Sequence, residues 1–178
     1  MPGVIVLLDH EHHQKVEQIW DTMEREFGVP RGYPGALPHF TLHLAAAYDP
    51  VPTARAVSAL AAAQAPFEVR TTGFGMFSGD APVIHLQVVR GPSLGELHRA
   101  LWTSLAGHTR DPVPYYSPDR WMPHITLGYS NIASALYPAL LPWLAAQNLS
   151  WEFTATTLAL GEDTPSGMNL TATFPLLG

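Results

Sequence analysis

The sequence predicts an α+β fold: two pseudo-symmetric lobes, each an antiparallel sheet with helices on its outer face, facing across a central cleft. Three observations lead there. Short β-branched runs alternate with amphipathic helical stretches. The order strand, helix, proline-rich loop, strand, helix, strand occurs twice. Each pass carries the same pattern, Pro38-His39-Phe40-Thr41-Leu42 in one and Pro123-His124-Ile125-Thr126-Leu127 in the other.

Val4 to Leu8 is an apolar, β-branched run between Pro2-Gly3 and Asp9, and reads as a buried strand. Asp9 is placed to cap a helix from His10 to Phe27, where Val16, Ile19, Trp20, Met23 and Phe27 recur at helical spacing until Gly28-Val29-Pro30 ends the run. A Gly/Pro-rich loop, 30–38, leads into a strand at 39–44, an Ala-rich helix from about Thr53 to Gln64, and a strand at 67–77. The second pass opens with a strand at 83–89 and a helix at 93–105, with Leu94, Leu97, Leu101 and Leu105 on one face. A Pro/Tyr-rich loop then delivers a strand at 124–127, a helix from about Ile132 to Ala146, and strands at 151–160 and 169–174. The distances agree. First strand to histidine is 35 residues from Val4 to His39 and 41 from Val83 to His124; histidine to next strand is 28 to Phe67 and 27 to Trp151. Residues 1–178 are thus read as one domain, its lobes formed by repeats at approximately 1–78 and 79–178.

Composition narrows the function. With 178 residues and 47% hydrophobic content the chain can bury a core of its own. Nine Lys and Arg stand against 15 Asp and Glu, a formal net charge of -6, which leaves no electrostatic track for duplex nucleic acid. Cysteine is absent, so thiolate chemistry and disulfides are excluded and any metal would need His, Asp and Glu. No segment reaches the length of a signal-peptide core or a membrane span. A cytoplasmic, monomeric protein without a cofactor is the expectation.

In a strand, residues i and i+2 share a face, so His39 and Thr41 look one way while Phe40 and Leu42 anchor the strand behind them. The second motif does the same with His124 and Thr126 against Ile125 and Leu127. Imidazole titrates near neutrality, so one ring can take a proton while its partner gives one to a leaving oxygen. The two hydroxyls can hold non-bridging phosphate oxygens between the rings. Nothing in this arrangement calls for a metal.

On these paired motifs, on the runs into them (Gly32 to Pro38 and Tyr116 to Pro123) and on the Gly73-Phe74-Gly75-Met76-Phe77 strand, the chain resembles the 2H phosphoesterase superfamily, which includes 2'-5' RNA ligase-like and cyclic phosphodiesterase proteins. The resemblance covers nearly the whole chain. It implies that His39 and His124 are catalytic and that Thr41 and Thr126 bind phosphate. It further implies a metal-independent phosphoesterase acting on a nucleoside or oligonucleotide 2',3'-cyclic phosphate or a 2'-5' linkage, with a nucleotide or a short RNA end as partner. Several RNA ligase-like members carry an Arg shortly after the second motif, where this chain reads Gly128-Tyr129-Ser130, so the natural substrate stays open.

Other residues are candidates of second rank for substrate binding. His43, at i+4 from His39, could line the cleft or sit at a strand end. His85 and Gln87 share a strand face and could touch a base or ribose. Tyr33, Tyr115, Tyr116 and Trp121 lie in the loops before the motifs, where rings stack on bases or pack as lids. Arg120 and Tyr129 flank the second motif. Asp9, His10, His12 and His13 have the composition of a metal cluster, but helical geometry separates them, and a solvated helix start is preferred. Two alternatives to the enzyme remain: a catalytically idle RNA or nucleotide-binding module with the same cleft, and a His-rich metal protein.

Overall fold

The computed structural model describes residues 1–31, 35–129 and 132–178. The fold is α+β, and among the described residues it comprises one antiparallel sheet and four α-helices. Strand β1 (Pro2–Leu7) leads into α1 (His10–Phe27), β2 (His39–Tyr48), α2 (Pro50–Ala63) and β3 (Phe67–Phe77). Then follow β4 (Val83–Val88), α3 (Pro92–Leu105), β5 (Thr109–Pro112) and β6 (His124–Gly128). Helix α4 (Tyr137–Ala146) and strands β7 (Glu152–Ala155), β8 (Thr157–Thr164) and β9 (Gly167–Pro175) complete the chain.

Local chemistry sets the helix limits. Asp9 Oδ1 accepts the His12 amide at 2.8 Å, and Gly28, at φ 65°, closes α1 by donating its N–H to the Glu24 carbonyl. The helix expected from Ile132 begins only at Tyr137, after a 3-10 turn at Ser134–Leu136. Pro138 has no amide to give and suits the first helical turn, so the start falls there. The run at 151–160 is two strands, β7 and β8, parted by Thr156. Strand β5, Thr-Arg-Asp-Pro, was not foreseeable from propensity; it exists because Ala45 and Ala47 of β2 offer it an edge.

The sheet runs β7-β3-β4-β6-β2-β1-β8-β9, with β5 on β2. The motif strands β6 and β2 are central neighbours. Strand β3 of the first half pairs with β4 of the second, and β8 of the second half with β1 of the first, so each half lends a strand to the other side. Strands β7 and β8 lie six places apart in this order, yet a single residue joins them. One residue spans only about 7 Å between its neighbours' Cα atoms, so the sheet must curl until its ends approach.

The apolar face of the sheet carries Val4, Val6, Phe40, Leu42, Ile84, Leu86, Ile125 and Leu127, all buried in one core with Val16, Ile19 and Met23 of α1 and Leu97, Leu101 and Leu105 of α3. Among the described residues, no helix is long and apolar enough to cross a membrane.

Two buried imidazoles belong to this core rather than to any cleft. His43 is 2% exposed, bonded through Nδ1 to the Tyr48 hydroxyl at 2.7 Å and tilted against Trp102. His98 lies flat on Trp121, 3.8 Å between ring centres, with Nε2 3.1 Å from the Tyr116 carbonyl oxygen. Burial pushes both down to about 4. Their unfolded value is near 6.5, so below that pH the unfolded chain binds protons that the folded chain refuses. Stability is therefore complete above pH 6.5 and is lost as pH falls toward 4. The melting temperature should drop over this window, and His43→Phe should flatten the drop; a melting temperature constant from pH 7 to 4.5 would contradict it.

Candidate active site

A single register point joins the motif strands: Phe40 pairs with Ile125. Stepping one residue either way along this antiparallel pair sets His39 opposite Thr126 and His124 opposite Thr41. Strand β4 continues both rows, with His85 beside Thr126 and Gln87 beside His124. On the far flank, β1 sets Ile5 beside Thr41 and Leu7 beside His39. Two rows thus cross one face of the sheet: His85, Thr126, His39, Leu7 and Gln87, His124, Thr41, Ile5.

The imidazoles of the motifs are held alike. His39 Nδ1–H donates to the Leu37 carbonyl at 2.6 Å, and His124 Nδ1–H to that of Met122 at 2.8 Å, in each case two residues back. A carbonyl only accepts, so Nδ1 keeps its hydrogen and the Nε2 lone pair of the neutral ring is left for chemistry. Burial lowers both rings below the ordinary histidine value. His124 is pushed down to about 4, with the nearby imidazoles of His85 and His39 adding to the effect. For His39 the carboxylate of Asp163, on β8, works the other way. At neutral pH both rings are bases.

The threonines have matching neighbours. The Tyr116 phenol sits beside the Thr41 hydroxyl and the Tyr129 phenol beside that of Thr126. Burial raises both phenols above their usual value, so each stays protonated and able to donate. His85 is buried and stacks on Phe77, ring centres 4.1 Å apart, while both rings meet His124 edge-on at 5.2 and 4.9 Å respectively. Gly75 makes room for this: a Cβ there would lie 2.8 Å from His85 Nε2.

The structure therefore brings His39, Thr41, His85, Tyr116, His124, Thr126 and Tyr129 to one site. His43 is elsewhere because β2 contains a bulge: Val4 pairs with His43 but Ile5 with Thr41, so Leu42 is an extra residue and His43 turns inward with it. Trp121 is 3% exposed and acts as a strut, its indole N–H donating to the Thr41 carbonyl at 2.9 Å and tying the loop before one motif to the strand of the other. Arg120 is on the surface, its amide bonded to the Ser117 carbonyl. Tyr33 falls outside the described residues. Among the described residues, no group of three or more His, Asp or Glu is placed to hold a metal ion. His12, at the helix start, is buried against Phe153 and bonded to Asp9 rather than solvated. Asp163 was missed by sequence reading, since it sits near a hairpin end with no motif around it, and Phe77, though within the Gly73–Phe77 strand that carries the resemblance, was not singled out as a site residue.

The fold and the paired motifs define a phosphoesterase scaffold of the 2H type. A family model for the 2'-5' RNA ligase superfamily matches residues 9–165, and the chain belongs to that superfamily. This supports a phosphoesterase or RNA-processing enzyme. No curated protein sequence matches significantly. Among solved structures, TT0787 of Thermus thermophilus is similar at 21% identity, covering 99% of this chain and 98% of its own, with a TM-score of 0.67. LigT of E. coli, solved with 3'-AMP, is 18% identical, with 99% and 97% covered and a TM-score of 0.55. Usb1 of Kluyveromyces marxianus, solved with uridine monophosphate, is 13% identical, with 98% of each chain covered and a TM-score of 0.52. At these identities the likeness concerns the fold.

The Trp121 strut can be tested directly. Trp121→Phe keeps the ring on His98 but leaves the Thr41 carbonyl without its donor, and should cost about 1–2 kcal/mol in equilibrium urea unfolding. A loss of only a few tenths would mean that another group satisfies the carbonyl.

Proposed function

We propose that the protein, acting as one catalytic unit over residues 1–178, is a metal-independent phosphoesterase that opens a nucleoside or oligonucleotide 2',3'-cyclic phosphate, or cleaves a 2'-5' linkage. The observation that carries this reading is the cross-strand placement of His39 beside Thr126 and His124 beside Thr41. A phosphate seated between the strands would meet an imidazole Nε2 on either side and a hydroxyl from each strand on its non-bridging oxygens. One neutral ring takes the proton of water as its oxygen attacks phosphorus, and the other, protonated, gives its proton to the departing ribose oxygen. Tyr116 and Tyr129 keep the hydroxyls oriented. The structures of LigT with 3'-AMP and of Usb1 with uridine monophosphate, on the same fold, support a nucleotide as the ligand.

Both rings are neutral in the free protein, so the acid needs a proton that the single negative charge of the phosphodiester helps it to retain. Since each ring titrates below 6.5, the bell of kcat/KM against pH should peak on the acid side of 6.5. A maximum above pH 7.5 would contradict the burial argument. His39→Ala and His124→Ala should each lower kcat by about a hundred- to ten-thousandfold while leaving the fold intact by circular dichroism, and EDTA should not inhibit. Near-normal turnover by both variants would overturn the mechanism. A strict divalent-metal requirement would overturn the metal-independent reading.

A further inference from the structure

Behind the motif strands lies a buried imidazole that the paired-histidine chemistry does not use. His98 of α3 is fully buried and lies flat on Trp121, with 3.8 Å between ring centres and 3° between planes. Its Nε2 is 3.1 Å from the Tyr116 carbonyl oxygen. A carbonyl only accepts, so Nε2 carries the hydrogen, the reverse of His39 and His124, which carry it on Nδ1. The Nδ1 of His98 is buried with no hydrogen-bond partner among the described residues. An orphaned acceptor in a core costs stability, so packing alone does not explain an imidazole here. What the ring supplies, and an apolar side chain of the same size would not, is the Nε2–H.

Both residues that His98 touches reach Thr41. The Trp121 indole N–H donates to the Thr41 carbonyl, and the Tyr116 phenol sits beside the Thr41 hydroxyl. The matching phenol of Tyr129 is carried to Thr126 by the end of its own strand, β6. Tyr116 instead arrives on the segment between β5 and β6, which among the described residues has one 3-10 turn, Pro114–Tyr116, and no strand. A side chain on such a segment keeps its place only if another element holds it. Helix α3 does so: Leu94 and Leu101, four residues before His98 and three after it, anchor the same face in the core, so the ring is as fixed as the helix. We propose that His98 is a positioning residue of the active site, which through the Tyr116 carbonyl and the Trp121 ring fixes the two groups that orient Thr41 toward phosphate. That Thr41 holds phosphate rests on the reading above; the link from His98 to Thr41 rests on these contacts.

The first test uses the wild-type protein and depends on no variant folding. In nitrogen NMR spectra of the imidazoles, His98 should be the Nε2–H tautomer with a slowly exchanging proton, against Nδ1–H for His39 and His124; an Nδ1–H tautomer at His98 would overturn the proposal. His98→Gln and His98→Met are then compared, since the two side chains have nearly equal length and only the amide can donate to the Tyr116 carbonyl. The Thr41 methyl resonance and the calorimetric affinity for inorganic phosphate are measured in each. His98→Gln should keep the methyl at its wild-type position and the affinity within about threefold, while His98→Met should displace the methyl and bind phosphate about five- to tenfold more weakly, the worth of one hydrogen bond. An undisturbed methyl or undiminished affinity in His98→Met, or equal impairment in His98→Gln, would overturn the positioning role. A wild-type protein that binds no phosphate overturns the reading of the site instead, and the methyl comparison still decides the link from His98 to Thr41.

Discussion

The pairing of Phe40 with Ile125 is the constraint on which the remainder of the site depends. Both side chains are fully buried in the core that the sheet shares with α1 and α3. Because side chains alternate along a strand, burying Phe40 commits His39 and Thr41 to the opposite face, and burying Ile125 does the same for His124 and Thr126. A slip of one residue in either strand would bury an imidazole and expose an aromatic or branched chain. The geometry of the site is thus enforced by hydrophobic burial, the largest favourable contribution to folding, and needs no separate device.

The motifs are equivalent, but their surroundings are not. Relative to the paired residues, Ile5 and Leu7 of β1 occupy the places that His85 and Gln87 hold on β4. One flank is therefore apolar and the other polar. The exchange of strands between the halves sharpens the difference, since β3 brings Phe77 and Gly75 to support His85, while β8 brings Asp163 toward His39. Two rings with the same backbone anchors consequently differ in their electrostatic setting: a neighbouring imidazole for His124, a carboxylate for His39.

Burial of so many histidines has a physical cost and a physical use. His39, His43, His85, His98 and His124 are all held below the ordinary imidazole value, chiefly by desolvation. Each stays neutral at pH 7 with one ring nitrogen bonded to a backbone carbonyl or, for His43, to a phenol, while the buried Nδ1 of His98 has no hydrogen-bond partner among the described residues. The same property that makes two of them bases in the site lets another two serve as core side chains.

The strands and helices that frame the site were readable from the sequence, and for the helix at 10–27 and the strand at 67–77 even the limits agree. Periodicity and caps are local, and so is the alternation that places His and Thr of each motif on one face. The duplication of the motif then pointed to a shared site. What sequence could not supply is everything that depends on pairing between distant strands: the register that crosses His39 with Thr126, the curl forced by the single residue between β7 and β8, and strand β5. The same holds for His43, which shares the parity of His39 until the bulge at Leu42 reverses it. Alternation is written in the chain, but register, bulges and the neighbours of a buried ring are settled only when strands far apart in sequence compete to bury the same core.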